Sequence, residues 1–286
     1  MFRNIVQDKV VIYHGNCLDG FSGAWVAYKK FGNEAFYYGV SCQPNISNDL
    51  LLLLQDKEIY FIDVCFAKDI MEQILSNNRK VIIIDHHISQ EDIVKLGYEY
   101  MFDVSHCASV LAFKYFFPHS KMPKILKYVE DGDLWKWTYK NSHEILAYLA
   151  IQEMTFDNWN KIAKDLEDKS KRQIIINNGH TILMYMQSIV KRLIKTADKV
   201  MFENEISLAV NSPILNSEIG HELTKNGIHI GIIWSQTGHT IWVSLRGDGT
   251  IDVSLIAKKY GGGGHYNAAG FTFKDSDDIP WNLIEK

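Results

Sequence analysis

Positive charge is not in excess in this chain: 30 lysines and arginines face 34 aspartates and glutamates, for a net charge of −4. A protein that tracks long duplex nucleic acid neutralises phosphates with a basic surface. The balance therefore argues against long duplex DNA as a partner and leaves short or small nucleotides open. Cysteine is scarce too. Cys17, Cys42, Cys65 and Cys107 form no Cys-x-x-Cys pair, which excludes zinc-finger spacing and a dense disulfide framework and predicts free thiols in a reducing setting. Long apolar runs are missing: residues 50–54, among the longest, are far too few to span a bilayer. The chain opens on mixed polar residues and then a strand, so neither a signal peptide nor a membrane partner is expected, and the default location is cytoplasmic. No internal repeat or low-complexity segment is apparent.

What is present is an ordinary globular composition, 47% hydrophobic and 22% charged over 286 residues, enough for two domains. The first half alternates apolar strand patterns (9–13, 58–63, 80–85) with helical stripes (19–31, 67–77, 107–117, 124–129), and the first helix is stopped at Gly32. Such alternation implies an α/β fold with a parallel sheet. Residues 142–197 read as helical with a Lys/Glu-rich polar face. The chain then turns β-rich at 206–211, 228–235 and 240–245, and a helix at 253–260 leads into a glycine-rich segment.

The chemistry concentrates where strands end. Val81-Ile82-Ile83-Ile84 is the pattern of a strand buried on both faces, and it runs into Asp85-His86-His87. The first strand runs into His14, Cys17 and Asp19, and the second into Asp63. Asp131 and Asp133 follow a helix in the same half. In open parallel sheets the strand ends share one edge, where ligands sit. Carboxylates mixed with imidazole suit Mn²⁺, with Mg²⁺ or Fe²⁺ as alternatives, better than a structural Zn²⁺. A single aspartate at a strand end is commonly a helix cap, and a lone histidine is usually structural. Three strands ending this way together are poorly explained by capping.

These residues resemble a known family. Asp85-His86-His87 after a hydrophobic strand, the upstream His14 and Asp19-Gly20, Asp63 after a strand, and an aspartate before Leu134-Trp135 look like the DHH phosphoesterase superfamily. Val243-Ser244-Leu245-Arg246, then Ile251-Asp252-Val253-Ser254, then Gly-Gly-Gly-Gly-His-Tyr-Asn-Ala-Ala-Gly-Phe at 261–271 resemble its associated C-terminal domain of the first type. The resemblance implies an N-terminal parallel-sheet catalytic domain (1–180), a helical linker (181–200) and a smaller α/β substrate-binding domain (201–286), with the active site in the interdomain cleft. It implies a metal-dependent hydrolase that cleaves short oligonucleotides or small, including cyclic, dinucleotides to mononucleotides through a metal-activated water. The alternatives are a phosphomonoesterase on 3′,5′-bisphosphorylated nucleotides and a non-catalytic nucleotide-binding module. A homodimer is compatible with it.

Carried over by position, His14, Asp19, Asp63, His86 and Asp131 are the expected metal ligands for one or two ions, with Asp63 as the bridge and Asp133 as the alternative to Asp131. Asp85 orients ligands, and His87 contacts the scissile phosphate or leaving group. The sequence departs from the family pattern at Cys17, where a second aspartate is usual, and at His14, which is shifted by one residue. Cys17 reads equally as a site residue or a small buried filler. Gly262, Gly263 and Gly264 offer open backbone N–H groups to a phosphate, with favourable polarity if a helix follows. His265 and Arg246 are further anion partners. Trp135 and Trp137 could stack on a base, though packing is the plainer reading for Trp137, and His106 is a weaker candidate for substrate contact.

Overall fold

The computed structural model describes residues 5–40, 48–276 and 279–284, so Cys42 lies outside the described residues. The chain divides into two compact units, Met1–Leu183 and Met184–Lys286.

In unit 1, β1 (Lys9–His14) leads into α1 (Leu18–Phe31), β2 (Ala35–Val40) and α2 (Asn48–Leu53). Next come β3 (Glu58–Ile62), α3 (Lys68–Asn77), β4 (Lys80–Asp85), the short α4 (Glu91–Val94) and β5 (Glu99–Phe102). The strands form one parallel sheet in the order β2-β1-β3-β4-β5. The β-branched run of β4 is wholly buried, as a strand covered on both faces must be. Its side chains alternate between two cores. Ile82 and Ile84 join Val11, Tyr60 and Ile62 under α1, α5 (Ala108–Phe116), α6 (Lys124–Asp133) and α8 (Phe156–Glu167). Val81 and Ile83 join Val10, Ile12, Ile59 and Phe61 under α2 and α3.

Register places the polar residues. Tyr13 is paired with Ile62, and Ile62 with Ile84, so His14, Asp63 and Asp85 stand one residue further on, in one row at the carboxyl edge. Helix α1 comes unusually close to this row. A Cβ on Gly20 would lie 2.2 Å from the His14 carbonyl oxygen, and one on Gly23 would lie 2.4 Å from Ile62 Cγ2. Only glycine permits that approach, and it carries Asp19 to the edge.

The α/β reading holds, with two omissions in unit 1. Strands β2 and β5 occupy the sheet edges and are partly exposed, so neither shows the buried run that marks β3 and β4. The stretch 142–197 resolves into α7 (Ser142–Ala150), α8 and the 25-residue α9 (Lys169–Leu193), which runs past the division between the units.

Unit 2 contains β6 (Asp198–Phe202), β7 (Glu205–Asn211), α10 (Asn216–Leu223), β8 (Ile230–Thr237), β9 (Thr240–Gly247), α11 (Val253–Lys259), β10 (Gly263–His265), β11 (Ala268–Lys274) and β12 (Asn282–Leu283). Its sheet runs β10-β11-β9-β8-β7-β6-β12, and β7 and β8 are its parallel neighbours. Ile230, Ile232, Val243, Leu245 and Phe271 pack with Val253, Ile256 and Ala257 of α11, while Val210 and Ile233 pack with Ile219 and Leu223 of α10.

Candidate metal centre

Asp63 is the pivot of the edge. It is 2% exposed and has a φ of 63°, a left-handed conformation that a non-glycine residue keeps only when its surroundings enforce it. Its two oxygens face different groups. Oδ2 lies 3.2 Å from His14 Nδ1 and accepts from Cys17 Sγ at 3.7 Å. Oδ1 lies 3.5 Å from His86 Nε2 and 3.7 Å from His87 Nδ1.

His86 Nε2 gathers two more carboxylates, Asp133 Oδ2 at 3.6 Å and Asp19 Oδ2 at 3.9 Å. Asp19 is fixed by the first amides of α5, accepting from the N–H of Ala108 at 2.7 Å and of Ser109 at 2.9 Å. Asp85 works one layer back. Its Oδ1 accepts from the backbone N–H of His86 and His87 and from His87 Nδ1 at 2.7 Å, so it sets the orientation of both histidines.

Of the two aspartates the sequence offered, Asp131 stands apart from the cluster and Asp133 lies within it. Asp131 is buried, but its carboxylate accepts from Thr138 N and Oγ1, Tyr139 N and Ser142 Oγ. It ties the loop after α6 to the start of α7 and has no acceptor capacity directed at His86. Asp133 is the carboxylate that reaches the cluster. The two residues are two positions apart on one helical turn, which turns them to nearly opposite faces. The sequence carried a signal: Asp133 follows Leu126 and Val129 at i+7 and i+4, on the helix face that those two buried residues turn to the core.

A residue that the sequence did not mark as a ligand also arrives here. Cys107, at the mouth of α5, has its sulfur within 4.8 Å of ligand oxygens of Asp19 and Asp133. Its position results from α1 packing on α5, which no local pattern announces. Trp137 stacks on His143 with ring centroids 3.8 Å apart, and its edge meets Trp135. His106 Nδ1 lies 2.9 Å from Glu130 Oε2.

The electrostatics are those of a site built for added positive charge. Burial raises the Asp19 carboxyl, and the Asp63 charge adds to it. Burial and the Asp19 charge push Asp133 up to about 8. Burial opposes the charged histidines, yet Asp63 and Asp133 hold His86 at about 9, and Asp85 and Asp63 hold His87 at about 10. Asp63 itself sits well below the usual carboxylate range despite its burial, because the imidazoles of His14, His86 and His87 lie against it. Its Oδ1 is buried and receives no hydrogen bond, a costly state for a carboxylate oxygen. Donors sharing one cation at about 2.0–2.3 Å lie roughly 3–4 Å apart, the spacing seen around His86 Nε2. Asp19, Asp63, His86 and Asp133 therefore fit a divalent cation.

In unit 2 the glycine segment differs from the expectation. Among the described residues no helix follows it; α11 precedes it and ends on it. Gly261, at φ 77°, donates to Lys258 O, and Gly262 donates to Ala257 O at 2.9 Å, the paired closure of a glycine-stopped helix. Gly262 also lies against β11, where a Cβ would stand 2.0 Å from Gly270 O. The helix end facing the segment is thus the carbonyl end, and the Gly262 N–H is engaged. Gly263, Gly264 and His265 form the edge strand β10, paired with Gly270, Ala269 and Ala268, and alternate N–H groups of an edge strand point outward. Ala268 in turn pairs with Arg246, so His265 and Arg246 share one row and one face, about 10 Å apart across two strand spacings. Arg246 donates to Ser217 Oγ and to Leu245 O.

Residues 186–283 match the DHHA1 domain family. The chain is 27% identical to Uncharacterized protein R106 of Acanthamoeba polyphaga mimivirus, over 93% of this chain and 68% of that protein. It is 24% identical to Oligoribonuclease NrnB of Bacillus subtilis (strain 168), over 92% of this chain and 73% of that one. Among solved structures, an exopolyphosphatase-related protein from Bacteroides fragilis is similar with a TM-score of 0.56 at 15% identity, covering 96% of this chain and 88% of its own.

Proposed function

Because the chain belongs to the DHH phosphoesterase superfamily and carries its DHHA1 domain, we propose that it is a divalent-cation-dependent phosphodiesterase that hydrolyses short oligonucleotides or small dinucleotides to mononucleotides. The observation that carries the reading is Asp63, a strained and buried carboxylate whose oxygens face two separate donor groups, one of them with no hydrogen bond. A cation held by Asp19, Asp63, His86 and Asp133, with Mn²⁺ the favoured ion, would polarise a phosphoryl oxygen and acidify a water.

The chain's own groups do the rest. Asp85 accepts the His87 Nδ1 proton, which fixes the ring and directs its second nitrogen to serve as a proton donor or charge partner for the phosphoryl group. Asp19 is pinned by the α5 amides, so it holds its position without a substrate. Arg246, His265 and the outward amides of β10 are assigned to a terminal phosphate or nucleotide of the substrate. The acidic balance of the chain and the oligoribonuclease among its relatives support a short substrate.

The test is a panel running from dinucleotide to decamer, with cyclic dinucleotides and a bisphosphorylated nucleotide, assayed with Mn²⁺. Mononucleotide release from the short linear substrates, abolished in Asp63→Ala, is the expected result. Full activity in that variant, or turnover confined to the bisphosphorylated nucleotide, overturns it.

A further inference from the structure

Three cysteines border the carboxylate cluster, and they are not equivalent. Cys65 Sγ lies 3.8 Å from Asp85 Oδ2, the oxygen turned away from the histidines. Cys107 is fully buried and shares a contact of 3.2 Å with Ser109 Oγ. Cys17 is only partly buried and faces donors of the kind that bind cations. His14, Cys17 and Asp63 each present one ligand atom, and the three atoms lie within 4.8 Å of one another.

The backbone position of Cys17 sharpens this. Cys17 is the residue before α1, extended at φ −123°, where a side chain ordinarily caps the helix. Its thiol makes no capping bond and turns instead to Asp63 Oδ2. A residue serving only as filler would be surrounded by carbon, whereas this sulfur meets an imidazole nitrogen and a carboxylate. Asp63, the third member, is 2% exposed, so its Oδ2 meets the imidazole and the thiol inside the fold rather than in solvent.

We infer that His14, Cys17 and Asp63 form a thiolate-containing cation subsite that selects a borderline ion of the Zn²⁺, Co²⁺ or Fe²⁺ class over Mg²⁺ and Mn²⁺. The inference rests on the cluster being a cation site. A thiolate in an otherwise oxygen and nitrogen set favours the softer ions, and distances of 3.2 and 3.7 Å to Asp63 Oδ2 match ligands sharing one ion. On binding, the Cys17 S–H proton passes to solvent and a sulfur–metal bond forms, with no change of oxidation state. The neighbouring set of Asp19, Asp63, His86 and Asp133 contains only oxygen and nitrogen donors, so Asp63 would join two subsites of different preference.

Cobalt tests this on the full chain, because a thiolate ligand to Co²⁺ gives a charge-transfer absorption in the near ultraviolet that oxygen and nitrogen ligands do not. The band is expected in the wild type and in Cys107→Ser, and absent from Cys17→Ser. In Cys17→Asp, competition dialysis with metal analysis should shift the Co²⁺-to-Mn²⁺ preference toward Mn²⁺ by about 10- to 100-fold. Cobalt retained by the wild type without the band, no cobalt retained, or a band that survives in Cys17→Ser overturns the inference. Mn²⁺-supported hydrolysis is measured on the same preparations. Hydrolysis without the band removes this inference alone, and the band without hydrolysis removes the phosphodiesterase reading alone.

Discussion

Unit 1 gathers its ionisable groups around one another, whereas unit 2 ties its candidate binding groups into secondary structure. At the edge of the first sheet, His86 faces three carboxylates, and one buried oxygen of Asp63 receives no hydrogen bond. In unit 2, Arg246 is bonded to Ser217 and to a backbone carbonyl, Gly262 closes α11, and Gly263 and Gly264 pair with β11. Unmet polar capacity in a buried place is expensive, so its presence in unit 1 marks the place where a cation completes the structure. Unit 2 instead holds its candidate groups in place through the bonds they already make.

The sharpest way to break this contrast lies inside unit 1, on two aspartates of one helix. Asp133→Ala should weaken cation binding about 100-fold, measured by titration calorimetry with Mn²⁺, and leave urea stability nearly intact. Asp131→Ala should do the opposite, costing about 3 kcal/mol in urea unfolding, because four hydrogen bonds to a buried carboxylate are lost. The reverse pattern would restore Asp131 as the ligand.

A second pair of substitutions crosses between the units. A methyl group at Gly20 meets the His14 carbonyl at 2.2 Å, and one at Gly262 meets the Gly270 carbonyl at 2.0 Å. Each should cost about 2 kcal/mol in urea unfolding. Only Gly20→Ala should also lower cation affinity, since it displaces α1 and with it Asp19. Equal cation affinities in the two variants would show that the α1 approach does not position the site.

Arg246→Lys should raise KM for a short oligonucleotide about tenfold with kcat little changed, because lysine keeps the charge and loses the planar fork. A fall in kcat at constant KM would place the residue in the chemistry instead.

The smallest effect concerns the exposed pair His229 and Asp248 in unit 2, 2.8 Å apart. The Asp248 bond raises the histidine above its ordinary value. Burial works against the charged Asp248, but Thr250 and His229 hold its carboxyl at about 2. The histidine contribution is complete below about pH 6.5 and is lost as pH rises through the raised value. The aspartate contribution is complete above the ordinary carboxylate range and is lost as pH falls through about 2. His229→Gln should therefore lower the melting temperature slightly between about pH 4 and 6 and not at about pH 9. A uniform shift across pH would remove the pair as its cause.

Legibility in the sequence followed burial. Strands β3 and β4 and the row they end in could be read because a run such as Val81-Ile82-Ile83-Ile84 is itself the signature of a doubly covered strand. The edge strands β2 and β5 lack that signature because half of their surroundings is solvent. Asp133 was within reach of a stricter helical count, but Cys107 was not, since its place depends on how two helices pack. The glycine segment was less legible for a physical reason: four glycines suit a phosphate loop and a helix stop equally well, and it takes the hydrogen bonds of Gly261 and Gly262 to show that the first two stop α11.

Asp63 has one further consequence. A single carboxylate has one unit of charge to offer, and its two oxygens serve opposite sides of the edge. With an ion on one side, a second would meet a group already neutralised by the first and would also feel that ion's repulsion across a few ångströms. Two-ion loading would then be antagonistic, a tight step followed by a weak one, and the weaker occupancy would vary with ion supply.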